Sequence, residues 1–539
     1  MGSKNSARVI CVIAVGFFVF SNLGNCWKVV ADESDGKIIA FTPEGKPAYP
    51  VPYIIPPANS STEKQNNITP PSPVSAPSSA PSYWWKQYQN NWYHDGYAPT
   101  YFNMGSTVNG MGLGRQNDVF ATPIVVSGYD TVNYPHGLAI SVATSLHITF
   151  ASHADFSDSA WSQSGQGTGA GIVSDGIYYW SFEPCSPQPC HKLQKYKVDD
   201  GSVAVPATVG LLISIPNIPM TYIPSTGSGQ ENRIYFFGVS SGGTYLFAFA
   251  ADTVTYRWSV RISTSQWMNW YASPVILTVN SGPRPIVFGG PNGYLYVYDE
   301  NGHAGCGYQT SGGGIYYTAS IDRYYWSYLY ALNSAGKLYR FQLVDDDPAC
   351  GFDKWNLVLQ SGWPVIVGGS QFFAAPVNAG PWVFTKAWRP ITPPQGKTVI
   401  TVIKKIDPIV RYQYEAASKE DRATGSAVVP APVVANNGAT SIYHIFFPSI
   451  AYLMNEYTTF MRSVEWDDWN SQFTRDRWQP VASGSNTEYY DVNTGVAIAQ
   501  FPVGSTATAW YLYLHLQYNN NNMWPMFAQI CLNDPLGYC

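Results

Sequence analysis

The chain has 539 residues, of which 15% are aromatic and only 12% charged, and its 30 basic and 35 acidic side chains leave a formal net charge of -5. A typical domain carries about 25% charged residues, so this one is apolar enough to bury a large core. No basic block is present that would track a phosphate backbone, which excludes nucleic acid as an expected partner.

At the N-terminus, Lys4 and Arg8 precede an apolar run from Val9 to Phe20, followed by small and polar residues. This is the pattern of a signal peptide, placed at residues 1–26. The run is shorter than the roughly 20 residues needed to cross a bilayer, so no membrane span is expected after cleavage. The expected location is secreted and extracellular, at a cell surface or in a matrix. Cysteine parity points the same way. Cleavage after Cys26 leaves Cys185, Cys190, Cys306, Cys350, Cys531 and Cys539, and six can pair completely; cleavage after Ser21 leaves Cys26 as a seventh. Short spacing suggests Cys185 with Cys190 and Cys531 with Cys539, which leaves Cys306 with Cys350.

Residues 27–55 form a β-prone segment in which Trp27 to Val30 and Lys37 to Phe41 read as strands. Two strands alone are marginal in water, so the segment must pack on the globular part or on another molecule. Residues 56–82 are a Pro/Ser-rich linker of disordered composition. Both N-x-[ST] sequons lie within it, which makes Asn59 and Asn67 glycosylation candidates. Residues 83–111 are an aromatic-rich flap, where Trp84, Trp85, Trp92 and Tyr93 are candidates for stacking on glycan, since flat rings with polar tips suit sugar surfaces.

From 112 to 539 no helical periodicity is sustained. Short alternating runs punctuated by Gly, Asn and Asp recur instead, the signature of an all-β fold. One unit is clear: Ala272-Ser273-Pro274-Val275, then Pro285 to Gly290, then Asn292-Gly293-Tyr294-Leu295-Tyr296-Val297-Tyr298-Asp299. Related openings are Ala121-Thr122-Pro123-Ile124, Ala374-Ala375-Pro376-Val377 and Pro430-Ala431-Pro432-Val433. Their prolines are 151, 102 and 56 residues apart, which a unit near 50 residues explains as three, two and one repeats. About 400 residues at that period predict a seven- or eight-bladed β-propeller, eight favoured. Weaker units fall in the gaps, at Gly171 to Trp180, Arg233 to Phe249 and Tyr328 to Tyr339.

The unit at 272–299, Ser-Pro-Val followed by apolar-Gly, Gly-x-Leu-Tyr and a closing Asp, resembles the blades of the pyrroloquinoline-quinone-type propeller repeat. The resemblance covers roughly residues 115–500 and implies blade architecture. It says little about chemistry, because such propellers include enzymes, assembly scaffolds and adhesion modules. Quinone-dependent members carry an adjacent cysteine pair, and many a Cys-x-x-Cys-His haem site; this chain has neither.

Other motifs reduce to structure. Gly238-Val239-Ser240-Ser241-Gly242 spells a nucleophile elbow, but a strand follows it where the elbow needs a helix. Gly165 to Gly169 has the glycine density of a phosphate loop without the strand-then-helix context. His147, His153 and Asp155 share strand parity, too little for a metal site. Asp345-Asp346-Asp347 and Glu465-Trp466-Asp467-Asp468 are where calcium would bind, with solvated turns as the alternative; no other cofactor is expected. No catalytic residue can be nominated. Two functions remain open. The first is a non-enzymatic extracellular structural or binding protein of adhesion or matrix type, its partner a glycan, a protein or a further copy joined through the N-terminal strands. The second is a secreted carbohydrate-active propeller enzyme, a glycoside hydrolase or lyase, with carboxylates converging on the central axis.

Overall fold

A computed structural model describes the chain from Thr122 to Cys531, a number of connecting residues excepted, and six strands ahead of it: Lys28–Ala31, Ile38–Phe41, Pro47–Ala48, Tyr53–Ile54, Tyr97–Ala98 and Val108–Gly112. The signal peptide, the linker with Asn59 and Asn67, the aromatic residues Trp84, Trp85, Trp92 and Tyr93, and Cys539 lie outside the described residues.

Eight four-stranded antiparallel units follow one another in a ring. Their innermost strands are Ile124–Val126, Val173–Ser174, Thr221–Ile223, Val275–Ile276, Ser320–Ile321, Val377–Ala379, Val433–Ala435 and Ala497–Val503. The inner strand of blade 8 packs beside that of blade 1, which closes the circle. Pro123, Pro274, Pro376 and Pro432 each sit directly before an inner strand, in blades 1, 4, 6 and 7. The three, two and one repeats read from their spacing are the blades actually present. Proline suits the first position because an edge strand can spare its N–H there.

Blade 8 is built from both ends of the propeller. Ala497–Val503, Ala507–Tyr518 and Met526–Cys531 supply three strands, and the outermost is Val108–Gly112, paired from Ile530↔Val108 to Met526↔Gly112. Gln529 on the third strand donates to the carbonyl of Ala154 in blade 1 at 2.5 Å, and the Tyr513 hydroxyl donates to the same oxygen. The last blade is thereby tied to the first.

Each sheet is sandwiched between two others, which explains the aromatic density. In the third strand of blade 4, Tyr294–Asp299, Leu295 and Val297 face blade 5 while Tyr296 and Tyr298 face blade 3. The third strand of blade 3, Gly243–Ala250, is buried along its whole length and reads as a continuous apolar run. Apolar clusters fill every junction from blades 1 and 2 to blades 6 and 7. Blades 6 and 7 depart from the compact pattern. Their second and third strands run to 11, 10, 12 and 12 residues, and Asp421–Arg422 pairs with both sheets, joining them.

Each blade has its first-to-second turn, and blades 1 to 7 their third-to-fourth turns, on one side of the ring, called the lower face here. The second-to-third turns and the crossovers to the next blade lie on the upper face. Tryptophans from outer strands dock on the next blade: Trp161 Nε1 donates to the Val198 carbonyl at 3.0 Å beside Gly201, and Trp258 Nε1 to the Glu300 carbonyl at 2.7 Å over Gly302. Gly201 and Gly302 have φ of 67° and 87°, and a Cβ on either would strike the indole.

Two of the expected disulfides are formed, Cys185–Cys190 as its short spacing suggests and Cys306–Cys350 as the pair left over. Cys185–Cys190 closes the second-to-third turn of blade 2 with Cα atoms 4.8 Å apart, and Cys306–Cys350 joins the lower edges of blades 4 and 5 at 5.6 Å. Their loops differ in size, with sequence separations of 5 and 44. In a chain-entropy account the long loop contributes about 4 kcal/mol and the short one about 2 kcal/mol. The double variant Cys306→Ser/Cys350→Ser is therefore expected to lower the denaturant midpoint about twice as far as Cys185→Ser/Cys190→Ser. Equal shifts would show that the longer bridge does not tie two blades.

Candidate functional site

Two regions qualify on geometry: the central axis, where eight inner strands converge, and the lower face. At the axis, short hydroxyl and amide side chains lace neighbouring blades together. The Thr221 hydroxyl donates to the Pro274 carbonyl at 2.6 Å, the Ser273 hydroxyl to Pro219 at 2.8 Å, and Asn378 Nδ2 to the Ser320 hydroxyl at 2.6 Å. Within their bounds the inner strands carry no Asp or Glu. The next residue after the blade 5 strand is Asp322, fully buried, with its carboxylate 2.9 Å from the buried ammonium of Lys405 in blade 6. That pair is mutually neutralising, so the carboxylate is committed to its cation.

The axis also holds a piece of the chain itself. Tyr97–Ala98 runs parallel to the inner strand of blade 7, in the register Val434↔Tyr97 and Ala435↔Ala98. One edge of that inner strand is taken by the second strand of its own blade, Ile442–Leu453, so the added strand occupies the axial edge. It also packs against the inner strand of blade 6. Inner strands run from the upper face to the lower, so the parallel segment runs the same way. Upstream, Tyr53–Ile54 pairs with Val209–Gly210 in the crossover from blade 2 to blade 3, again on the upper side. The segment ahead of the propeller thus meets its upper face, and Tyr97–Ala98 follows the channel downward.

The lower face is built from aspartate-capped turns. Asp467 at the end of the third strand of blade 7 accepts from the Trp469 and Asn470 N–H groups at 3.0 and 3.3 Å, from Asn470 Nδ2 at 2.7 Å and from the Ser441 hydroxyl at 3.2 Å. Asp130 in blade 1 repeats the scheme with Val132 and Asn133, Asp175 in blade 2 with Ile177 and Tyr178, and Asp407 in blade 6 with Ile409. At Asp130 and Asp467 these bonds favour the carboxylate over the acid. They hold Asp130 below the usual carboxylate range, chiefly through the Asn133 N–H, and Asp467 likewise, chiefly through the Asn470 side chain. Each such turn lifts an apolar residue into solvent: Val132 is 87% exposed, Ile409 87% and Trp469 86%.

In blades 2 to 5 charge separates the two faces. The upper connections of blades 2 to 5, at 185–190, 206–220, 241–242, 264–274, 290–293, 310–319, 333–336 and 360–376, contain no charged residue. Every third-to-fourth turn from blade 2 to blade 7 contains an acid: Asp200, Asp252, Glu300, Asp345, Asp407 and Asp468. Glu300 is the buried member, held by Arg284 through Nε at 2.8 Å and Nη2 at 2.5 Å.

The other sequence candidates are used structurally. Ser240 and Gly243 close a two-residue hairpin, so the elbow-like string is a turn. Gly167, at φ 99°, donates its N–H to the Phe182 carbonyl at 2.7 Å and links blades 1 and 2. His153 lies edge-on to Tyr134 with ring centroids 5.2 Å apart, while His147 and Asp155 lie outside the described residues. Of the acidic runs considered for calcium, Asp347 accepts from Asn356 Nδ2 at 2.7 Å and Asp467 is engaged in its turn. Glu465 accepts from the Thr474 hydroxyl at 3.2 Å and faces His444, whose pKa is pushed down to about 4 by burial and by Arg477 and Arg475. Among the described residues no group of three metal-ligating side chains is assembled. Sequence reasoning missed the exposed tips of the lower face; the signal was there in Asp130-Thr131-Val132-Asn133 and Asp467-Asp468-Trp469-Asn470, two turns of the same pattern.

No protein-family model and no curated protein matches the chain. Among solved structures it is similar to Sqt1 of Saccharomyces cerevisiae, with 8% identity and a TM-score of 0.46, over 80% of this chain and 99% of that one. It is also similar to the β-propeller domain of Cps50 (Swd1) of Myceliophteria thermophila, with 12% identity and a TM-score of 0.34, over 64% and 96%. A third is the BBS1N chain crystallised with ARL6DN, with 6% identity and a TM-score of 0.38, over 81% and 99%.

Proposed function

We propose that the protein is a secreted, non-enzymatic propeller that works by binding, an extracellular adhesion or matrix component with blades of the pyrroloquinoline-quinone-repeat type. One observation carries this reading: the axial edge of the blade 7 inner strand, where a propeller hydrolase would seat its substrate, is paired with Tyr97–Ala98 of the same chain. The inner strands also lack the paired carboxylates that hydrolysis of a glycosidic bond requires. The repeat type is supported by the 272–299 motif. Secretion is supported by the leader and by the cysteine usage, with bridges at Cys185–Cys190 and Cys306–Cys350 that oxidising compartments favour.

Expression of the full chain with its own N-terminus in a secretory host tests both halves. The expected result is protein in the medium beginning near Asn22 or Trp27, releasing no reducing ends or unsaturated products from a panel of polysaccharides. Retention inside the cell would overturn the location. Cleavage activity that follows the protein through purification to homogeneity would overturn the non-enzymatic reading in favour of a carbohydrate-active propeller.

A further inference from the structure

We propose that the lower face of blades 6 and 7, with Trp469, Ile406 and Ile409 as anchors, docks a cationic polypeptide segment carrying apolar side chains of its own. This deepens the binding reading above and rests on it. Trp469 is 86% exposed, Ile406 73% and Ile409 87%, on third-to-fourth turns of adjacent blades. Asp467 holds the turn that presents Trp469 in place beforehand, accepting from the Trp469 N–H, from the Asn470 N–H and side chain and from the Ser441 hydroxyl, with Ser471 at φ 53° completing the turn. A preformed turn lowers the ordering cost of an interface, and tryptophan is the side chain most enriched among interface anchors.

The partner's charge follows from what surrounds these tips. Asp407 and Asp468 sit in the same two turns; of the basic residues beside them Lys405 is buried on Asp322 and Arg475 lies 3.6 Å from Glu465, while Arg411 is exposed, and the acids of the other third-to-fourth turns extend the negative sign around the ring. A cationic segment meets complementary charge, whereas an acidic protein or an anionic lipid surface is repelled. The choice of face has a separate basis: the segment ahead of the propeller pairs on the upper side at Val209–Gly210 and enters the channel from above.

A random peptide display library selected on the full secreted chain tests the proposal. Enriched peptides are expected to combine Lys or Arg with aromatic or aliphatic residues. Trp469→Ala should weaken them about 30-fold, the loss typical of an interface anchor. Asp407→Asn/Asp468→Asn should weaken them and flatten their salt dependence. Both variants alter exposed or turn positions, and an unchanged melting curve certifies that each is folded. No enriched peptide, acidic or uncharged winners, or winners that bind Trp469→Ala as tightly as the parent would overturn the proposal. So would binding of the parent, but not of Trp469→Ala, to phosphatidylcholine vesicles, which would assign the tips to a membrane. These failures leave the non-enzymatic reading standing, while polysaccharide cleavage would defeat that reading without touching peptide binding.

Discussion

A chain beginning at residue 104 is expected to fold as the full propeller does, whereas one beginning at residue 113 is expected not to fold at all. The difference is Val108–Gly112, the outer strand of blade 8. Without it the edge of Met526–Cys531 is bare over five residue pairs, and the N-terminal end of the ring no longer clasps its C-terminal end. Blades are stable because each buries both faces and leaves short, protected edges, so a ring that cannot close loses more than one strand's worth of pairing. The shorter deletion removes the two axial pairs at Val434 and Ala435, the two pairs at Val209 and Gly210, and the small sheet of Lys28–Ala31, Ile38–Phe41 and Pro47–Ala48, none of which closes the ring. Near-ultraviolet circular dichroism and a cooperative melt distinguish the two truncations. Appending residues 104–112 after Cys539 of the shorter chain should restore both signals. A folded 113–539 chain would show that blade 8 closes with three strands.

The second large effect is expected at Arg284. Its guanidinium is fully buried and uses four of its five N–H groups in these bonds, with Nε and Nη2 on Glu300, Nη1 on the Pro224 carbonyl at 2.7 Å and Nη2 also on the Glu231 carbonyl at 2.7 Å. It thus ties the first-to-second turn of blade 3 to blade 4. Glu300 keeps a further contact with Arg233 at 3.4 Å. That distance is too long to replace a bidentate partner. Arg284→Met leaves a buried carboxylate without its main cation and two carbonyls without donors, and is expected to cost about 3–5 kcal/mol. The double variant Arg284→Met/Glu300→Met should recover much of that, since the cost lies in the uncompensated charge. Denaturant midpoints measure both. A loss below about 1 kcal/mol for the single variant would mean that water reaches Glu300.

How much of this was legible in the sequence depends on whether a contact is local. Pro123, Pro274, Pro376 and Pro432 marked the starts of four inner strands because a strand's first residue has a chemical requirement that shows in one position. Cys306 and Cys350 were paired by elimination. The closing strand Val108–Gly112 was not legible: Val-Asn-Gly-Met-Gly has no alternation, and its partner Met526–Cys531 lies at the far end of the chain. The bridging pair Asp421–Arg422 has the same cause. At the site, Asp467 read as part of an acidic run that is either solvated or calcium-binding, and Asp130, Asp175 and Asp407 stood out in no motif. Only the hydrogen bonds of Asp130, Asp175, Asp407 and Asp467 reveal that they hold turns and raise apolar tips.

The central claim is that the propeller axis is occupied by this chain's own segment at Tyr97–Ala98. Ala98→Cys/Ala435→Cys places thiols on two small residues paired in register, and a short bifunctional thiol reagent followed by peptide mapping reads their proximity. The account predicts a single cross-linked product joining 98 to 435 within a monomer. A product found only in dimers would assign the segment to a neighbour's channel, and two singly modified cysteines would show an open axis; either result contradicts it.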